Sequence, residues 1–117
     1  MSEKKENHSC RILSVEYSVN ENSELALDGC FGTCCNNREL IEFETTQSDS
    51  QLFRTIIHEL LHAICYQTSL NLSCEQEEQI VSQISLGIFS VVEDPRNHEI
   101  IRWLISLRQS ADPNGNE

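Results

Sequence analysis

The chain has 117 residues, of which 38% are hydrophobic and 23% are charged, and this predicts one globular domain with a modest core. Its 19 acidic and 8 basic residues give a net charge of −11, which argues against a nucleic-acid partner because phosphate binding depends on clustered Lys and Arg. No apolar run approaches the roughly 18 residues that a membrane span needs, and no signal-peptide core follows Met1. We therefore expect a soluble, cytoplasmic protein without a membrane partner.

The two ends of the chain are polar and predict disordered tails. We expect an N-terminal tail over residues 1–9, a single domain over residues 10–109 and a C-terminal tail over residues 110–117.

The first part of the domain predicts a short antiparallel sheet of three strands. Apolar and polar side chains alternate over residues 13–19, which is the period of a strand buried on one face. A second extended run covers residues 30–35, and the adjacent asparagines at 36 and 37 suit a tight hairpin turn. The return strand places Ile41 and Phe43 on one face. The pattern indicates a sheet with one buried side.

Three helices are predicted after this sheet. The first begins near Ser48 or Ser50, either of which can act as its N-cap. Ser73 and Gln76 form a capping box for the second helix. Pro95 suits the first turn of the third helix. The apolar stripe of the second helix consists of Ile80, Val81, Ile84, Ile88 and Val91. The sequence therefore predicts an α+β fold.

The first helix carries an HExxH sequence, formed by His58, Glu59, two leucines and His62. Residues four apart lie on one face of a helix, so the two histidines can bind one ion. Glu59 is offset by about 100° and can reach a metal-bound water. On the helical wheel the histidines lie nearly opposite the apolar side, so we expect them to face a cleft. A chance occurrence of the motif is disfavoured by the apolar pairs around it. The sequence predicts Zn2+ bound by His58 and His62, with Glu59 as the catalytic general base.

A catalytic zinc needs a third protein ligand and an open position. Positions 65 and 68 are Cys65 and Thr68, so the later histidine of the extended HExxH pattern is missing. A glutamate at the start of the second helix is then the natural ligand. Glu77 is favoured because it is centred on the apolar stripe, where an unpaired carboxylate would be costly. Glu78, at the edge of the stripe, is the alternative, and Glu75 lies nearly opposite. The positive N-terminus of the helix could also account for all three glutamates without a metal. If none of them is a ligand, Cys65 is the next candidate.

The chain contains six cysteines, which without a signal sequence we expect to be reduced thiols. Cys30, Cys34 and Cys35 could join a second metal site. Adjacent residues in a strand point to opposite faces, however, so the favoured interpretation is small apolar side chains.

Three segments of the chain resemble the small phage-type HExxH metalloproteins. These segments are TIIHELLHAI at residues 55–64, DGCFG at residues 28–32 and EEQIV at residues 77–81, and the resemblance extends to Gly87 and to residues 93–104. Such proteins are similar to the SprT-like and ImmA/IrrE-type zincins, of gluzincin character. The cysteines at positions 34, 35 and 65 depart from the pattern.

The resemblance implies a minimal zincin-like core, in which a short sheet packs on the HExxH helix and a second helix supplies a glutamate. It implies that His58 and His62 are zinc ligands, that Glu59 is the general base, and that Glu77 or Glu78 completes the ligand set. For a phage-encoded protein the expected location is the host cytoplasm.

These observations predict a zinc-dependent metallopeptidase that hydrolyses an unidentified peptide or protein substrate. Tyr66, Arg96 and His98 are candidate donors to the oxyanion of the reaction. The alternative is a non-catalytic, zinc-stabilised regulatory or binding protein that retains the HExxH site, which the small size of the chain favours. A helical interaction module with an incidental motif is a third hypothesis. Whether the protein is an enzyme stays open at this stage.

Overall fold

The structure is a computed structural model and describes residues 7–111. The strands are β1 (His8–Ile12), β2 (Val15–Glu21), β3 (Gly32–Cys35) and β4 (Leu40–Phe43), and the α-helices are α1 (Asp49–Gln67), α2 (Cys74–Glu93) and α3 (His98–Ala111). Short 3-10 helices cover Ser23–Asp28, Asn36–Arg38 and Pro95–Asn97. The fold is α+β, as predicted. Among the described residues, no helix has the length and apolar character needed to cross a membrane.

The chain divides into two units, one up to Ser85 and one from Leu86 onward. The first unit contains the sheet, α1 and the first part of α2, and the second contains the rest of α2 and α3. The motif and the candidate ligand residues all belong to the first unit.

The first strand is a correction to the sequence analysis. The predicted strand over residues 13–19 begins at Val15, because Leu13 and Ser14 adopt positive φ angles of 49° and 76° and form a tight turn. This turn joins β2 to β1, which the sequence analysis did not predict. His8 and Ser9, which we assigned to the N-terminal tail, pair with β2 in an antiparallel ladder. β1 was missed because its side chains are mostly exposed and polar, which leaves no alternating pattern.

The sheet has four strands in the order β1-β2-β4-β3, instead of the three antiparallel strands that we predicted. β2 and β4 run parallel, with Val19 opposite Ile41, and the other two pairs are antiparallel. The turn between β3 and β4 is a 3-10 helix that ends at Glu39 with a φ of 52°, not a two-residue hairpin. The mixed order makes β3 the strand at one edge of the sheet.

The core of the first unit lies between the sheet and α1. The side chains of Tyr17 and Ile41 are fully buried, together with Ala63 from α1. Ile41 and Phe43 both face inward, as their alternation predicted. The partly buried residues packed against this core include Leu52, Ile56 and Leu60 of α1. This packing fixes the face of α1 that meets the sheet.

The caps of the first two α-helices agree with the sequence analysis. The Ser48 hydroxyl accepts a hydrogen bond of 3.1 Å from the Gln51 backbone N–H. Ser73 and Gln76 exchange two side chain–backbone hydrogen bonds of 3.1 Å each, which is the predicted capping box. These caps set the start of each helix.

The second unit contains the end of α2 and the whole of α3. Asp94 caps the 3-10 helix that follows α2, and Pro95 occupies the first position of that short helix. The sequence analysis placed Pro95 in the first turn of the third helix, but α3 begins three residues later, at His98. α3 continues to Ala111, two residues into the C-terminal tail that we predicted. The remaining parts of the two predicted tails, residues 1–6 and 112–117, lie outside the described residues.

Candidate metal centre

α1 brings the two histidines of the motif together on one face. The ring centroids of His58 and His62 lie 5.0 Å apart, at an angle of 65° between the ring planes. Their side chains are 24% and 19% exposed, so both reach solvent only in part. Glu59 points towards β3, since its Cγ lies 3.4 Å from the position that a Cβ on Gly32 would take. The motif therefore borders the edge strand of the sheet.

The carboxylate of Glu78 contacts both histidines. Glu78 Oε2 lies 3.3 Å from Nε2 of His58, and Glu78 Oε1 lies 3.0 Å from Nε2 of His62. The Ser82 hydroxyl donates a hydrogen bond of 3.1 Å to the same carboxylate and holds it on this side of α2. His58, His62 and Glu78 form a group, hereafter the His-His-Glu group, whose ligand atoms lie within 4.8 Å of one another.

The distances between the histidines and the carboxylate of this group are compatible with a metal ion such as zinc. Tetrahedral zinc with bonds of about 2.0–2.2 Å separates its ligand atoms by about 3.4 Å. The two histidine–carboxylate distances, 3.3 and 3.0 Å, are close to that separation. Two imidazoles and a carboxylate are also the donor set of many catalytic zinc sites.

Glu77 contacts His62 from the other side of the ring, with Oε2 2.7 Å from Nδ1. An ionised carboxylate only accepts hydrogen bonds, so Nδ1 carries the proton in this contact. A neutral imidazole then has a lone pair at Nε2, which faces the second carboxylate, Glu78. A second proton or a metal ion at Nε2 would satisfy this contact with Glu78.

The two glutamates differ in position because α2 is turned relative to our helical wheel. The sequence analysis centred the inward face on Glu77 and on the apolar stripe around it, but Ile80 and Ile84 of that stripe are 42% and 48% exposed. Val81 and Ser85 are the buried residues of this helix. The buried face of α2 therefore lies along Val81 and Ser85, on the side of Glu78, the predicted alternative. The Glu78 side chain contacts both histidines although it is 59% exposed, whereas Glu77, the preferred candidate, is 27% exposed and contacts the far nitrogen of His62. Glu75 is exposed.

The pKa values of Glu59 and Glu78 are shifted in opposite directions. Burial raises the pKa of Glu59 to about 7, with His62 opposing this effect and the charge of Glu78 adding to it. Burial also raises the pKa of Glu78, but the hydrogen bond from Ser82 and the two histidines outweigh it, and the net shift is downward. Glu78 therefore stays ionised and can act as a metal ligand, whereas Glu59 takes up a proton more readily than an ordinary glutamate.

The pKa values of the two histidines are also shifted in opposite directions. Burial lowers the pKa of His58, and the charge of Glu78 compensates only in part. Burial lowers the pKa of His62 too, but its hydrogen bond to Glu77 and the charges of Glu59 and Glu78 give a net increase. The acidic residues around His62 thus favour a positive charge at that ring.

Two cavities of the first unit meet at the motif. One, of about 410 Å³, extends from His58 and Glu59 towards the N-terminal turns of α1. The other, of about 570 Å³, runs along β3 past His58, Glu59 and His62. Glu59 lines both cavities.

A buried polar network, which the sequence analysis missed, holds β3 beside α1. The Gln47 side-chain amide donates hydrogen bonds to the carbonyls of Phe31 (3.1 Å) and Glu44 (2.6 Å). The Thr55 hydroxyl donates a hydrogen bond of 2.8 Å to Oε1 of Gln47. A Cβ at Gly32 would lie 2.5 Å from the methyl of Thr55, so only glycine allows the strand this close. The DGCFG segment signalled the glycine, but nothing in the sequence marked Gln47 as buried.

The other candidate residues lie in varied environments. Tyr66 is 53% exposed near the end of α1. Arg96 pairs with Asp94 at 3.1 Å in the second unit. Cys65 is buried, and burial together with the charge of Glu77 raises its pKa. Cys34 lines the cavity along β3. Within residues 7–108, the His-His-Glu group is the one set of three such donors close enough to hold a metal.

No protein-family model matches the chain, and searches against curated proteins and against solved structures also give no match.

Proposed function

We propose that this protein is a zinc-dependent peptidase, in which the His-His-Glu group binds zinc and Glu59 is the general base. The observation that carries the proposal is the convergence of His58 and His62 on the carboxylate of Glu78, at 3.3 and 3.0 Å. Three donors at this spacing, with Glu59 beside them in a cleft, match the requirements of a catalytic zinc site.

Glu77 supports the same interpretation as a positioning residue. By accepting the Nδ1–H of His62, it fixes the tautomer that leaves Nε2 free to bind a metal. Carboxylates in this role also make the imidazole a stronger donor. The third ligand is then Glu78, and Glu77 orients a ligand without being one.

Glu59 has the position that a general base needs. Bound zinc would supply a Lewis acid for the substrate carbonyl and lower the pKa of a water molecule. The Glu59 carboxylate accepts the proton of the attacking water and returns it to the departing amine. Its place next to His58 in sequence, and in the lining of both cavities, supports a role beside the proposed metal rather than as one of its ligands.

The edge strand favours a peptide as the substrate. β3 is the last strand on its side of the sheet in the described chain, and Gly32 and Thr33 line the cavity that also contains the motif. The outer edge of such a strand can pair with an extended peptide through backbone hydrogen bonds. A substrate held in this way would pass directly over Glu59.

We also propose that the first unit is a minimal zincin-like core of the phage type that the sequence resembles. In support, a sheet packs on the HExxH helix, and a second helix contributes glutamates to the histidines. The fourth strand and the parallel pair enlarge the sheet that the resemblance implies.

The test is zinc content and proteolysis with the wild type and with Glu59→Gln. We expect about one zinc per chain in both proteins, and cleavage of unstructured protein substrates only by the wild type. Zinc without cleavage in both would favour the non-catalytic regulatory or binding protein, and absence of zinc would refute both alternatives.

A further inference from the structure

The cavity on the N-terminal side of His58 has a composition that suggests what it binds. It has a volume of about 410 Å³, and its lining includes Phe31, Arg54, Thr55, Ser82 and Ser85 besides the motif. Cavities of a few hundred Å³ suit a small group or one end of a larger ligand. The end of a peptide that is bound across the motif would therefore fit here.

Arg54 contributes a guanidinium to the lining of this cavity. Arg54 and His58 are four residues apart on α1, so their Cβ atoms are about 5–6 Å apart on one face of the helix. Arg54 is exposed, and among the described residues that line this cavity it alone has a permanent positive charge. A guanidinium presents a planar pair of N–H donors that matches a carboxylate.

The cavity along β3 has the opposite character. Besides Glu59, which lines both cavities, its lining includes Glu77 and Glu78, and among the described residues that line it there is no arginine or lysine. The whole chain has a net charge of −11, so its average surface repels anions. An anionic group of a substrate would therefore favour the Arg54 side of the motif.

We propose that the Arg54 cavity is a subsite for a carboxylate of the substrate, one or two residues from the bond that is cleaved. This inference rests on the proposed peptidase function. The four residues from Arg54 to His58 rise by about 6 Å along the helix, and an extended peptide covers about 3.3–3.6 Å per residue. The exposed ring of Phe31 offers an apolar contact beside the carboxylate. The carboxylate is either the C-terminus of a peptide or an acidic side chain.

A binding experiment tests the subsite without a known substrate. Succinate, glutarate and adipate are compared with their monoamides by calorimetry on the full chain, after zinc content has been measured in the same samples. We expect at least one dicarboxylate to bind wild-type protein about tenfold more tightly than its monoamide, because the second carboxylate reaches Arg54. This advantage should disappear in Arg54→Gln and persist in part in Arg54→Lys.

Arg11→Gln is the matched control, because Arg11 is an exposed arginine on β1, at the other edge of the sheet. It should bind the dicarboxylates as the wild type does. An equal advantage in wild type and Arg54→Gln, or no advantage in the wild type with any of the dicarboxylates, overturns the subsite. Wild type and Arg54→Gln are compared at the same zinc content, so the comparison tests the subsite both with and without bound zinc.

Peptide cleavage distinguishes the two sources of the carboxylate. If the subsite binds a C-terminus, amidation of a short peptide should lower kcat/KM about tenfold in the wild type and have little effect in Arg54→Gln. If it binds a side chain, replacing Glu by Gln near the cleaved bond should have that effect. Equal cleavage of all these peptides contradicts the subsite. Absence of any cleavage contradicts the peptidase function, and the dicarboxylate measurements still decide the subsite.

Discussion

Replacing Glu78 with glutamine is expected to remove most of the affinity for zinc. The two carboxylate oxygens of Glu78 lie 3.3 Å from Nε2 of His58 and 3.0 Å from Nε2 of His62, so this one carboxylate contacts both histidines. Glutamine keeps the shape, but it has no charge and offers one oxygen where the carboxylate offers two. Glu77→Gln removes only the partner of Nδ1, and changes of this kind typically cost 10–100-fold in metal affinity, or about 1.4–2.7 kcal/mol.

The three glutamates of α2 therefore form a graded series. Zinc affinity is measured by competition with a chromophoric chelator at constant pH, with unfolding curves as a check on the fold. We expect the largest loss with Glu78→Gln, a loss of about 10–100-fold with Glu77→Gln, and at most about a twofold change with the exposed Glu75→Gln. A larger loss with Glu77→Gln than with Glu78→Gln would refute the ligand assignment, and equal effects of all three would refute the site.

Three further outcomes follow from the packing around the site. Gly32→Ala should lower the free energy of unfolding by about 1–3 kcal/mol, because the added Cβ would clash with α1. The control is Gly87→Ala, which should be neutral or stabilising because no atom lies within 4 Å of the added Cβ. Urea denaturation compares the two variants. Gln47→Leu should cost about 1–3 kcal/mol in the same assay, since it leaves buried polar partners unsatisfied, and an unchanged midpoint would count against the network. Burial raises the pKa of Cys34 to about 12, so its alkylation at pH 8 should be much slower than that of the exposed Cys74 and should accelerate in urea. Equal rates in the folded protein would contradict the burial of Cys34.

The helices of the site could be predicted because their signals are local. The Ser48 cap, the capping box from Ser73 to Gln76 and the spacing of His58 and His62 all depend on residues within one or two turns. Such patterns fix where a helix starts and which residues share a face. They led directly to the histidine pair.

The sheet and the third ligand could not be predicted in the same way, because they depend on contacts between distant segments. The parallel pairing of Val19 with Ile41 joins residues from two separate elements, and no short pattern specifies it. The choice between Glu77 and Glu78 depends on which face of α2 turns inward. The apolar stripe pointed to a face centred on Glu77, but within that stripe Ile84 is 48% exposed and Val81 is the fully buried residue.

The most direct test of the His-His-Glu group is a crystal structure of the protein prepared with zinc, with anomalous difference density measured at the zinc edge. We predict one peak, within about 2.0–2.2 Å of Nε2 of His58, Nε2 of His62 and an oxygen of Glu78, with Glu77 hydrogen-bonded to Nδ1 of His62. A peak bound by Glu77 in place of Glu78, or no peak between the two histidines at saturating zinc, would contradict the proposed centre.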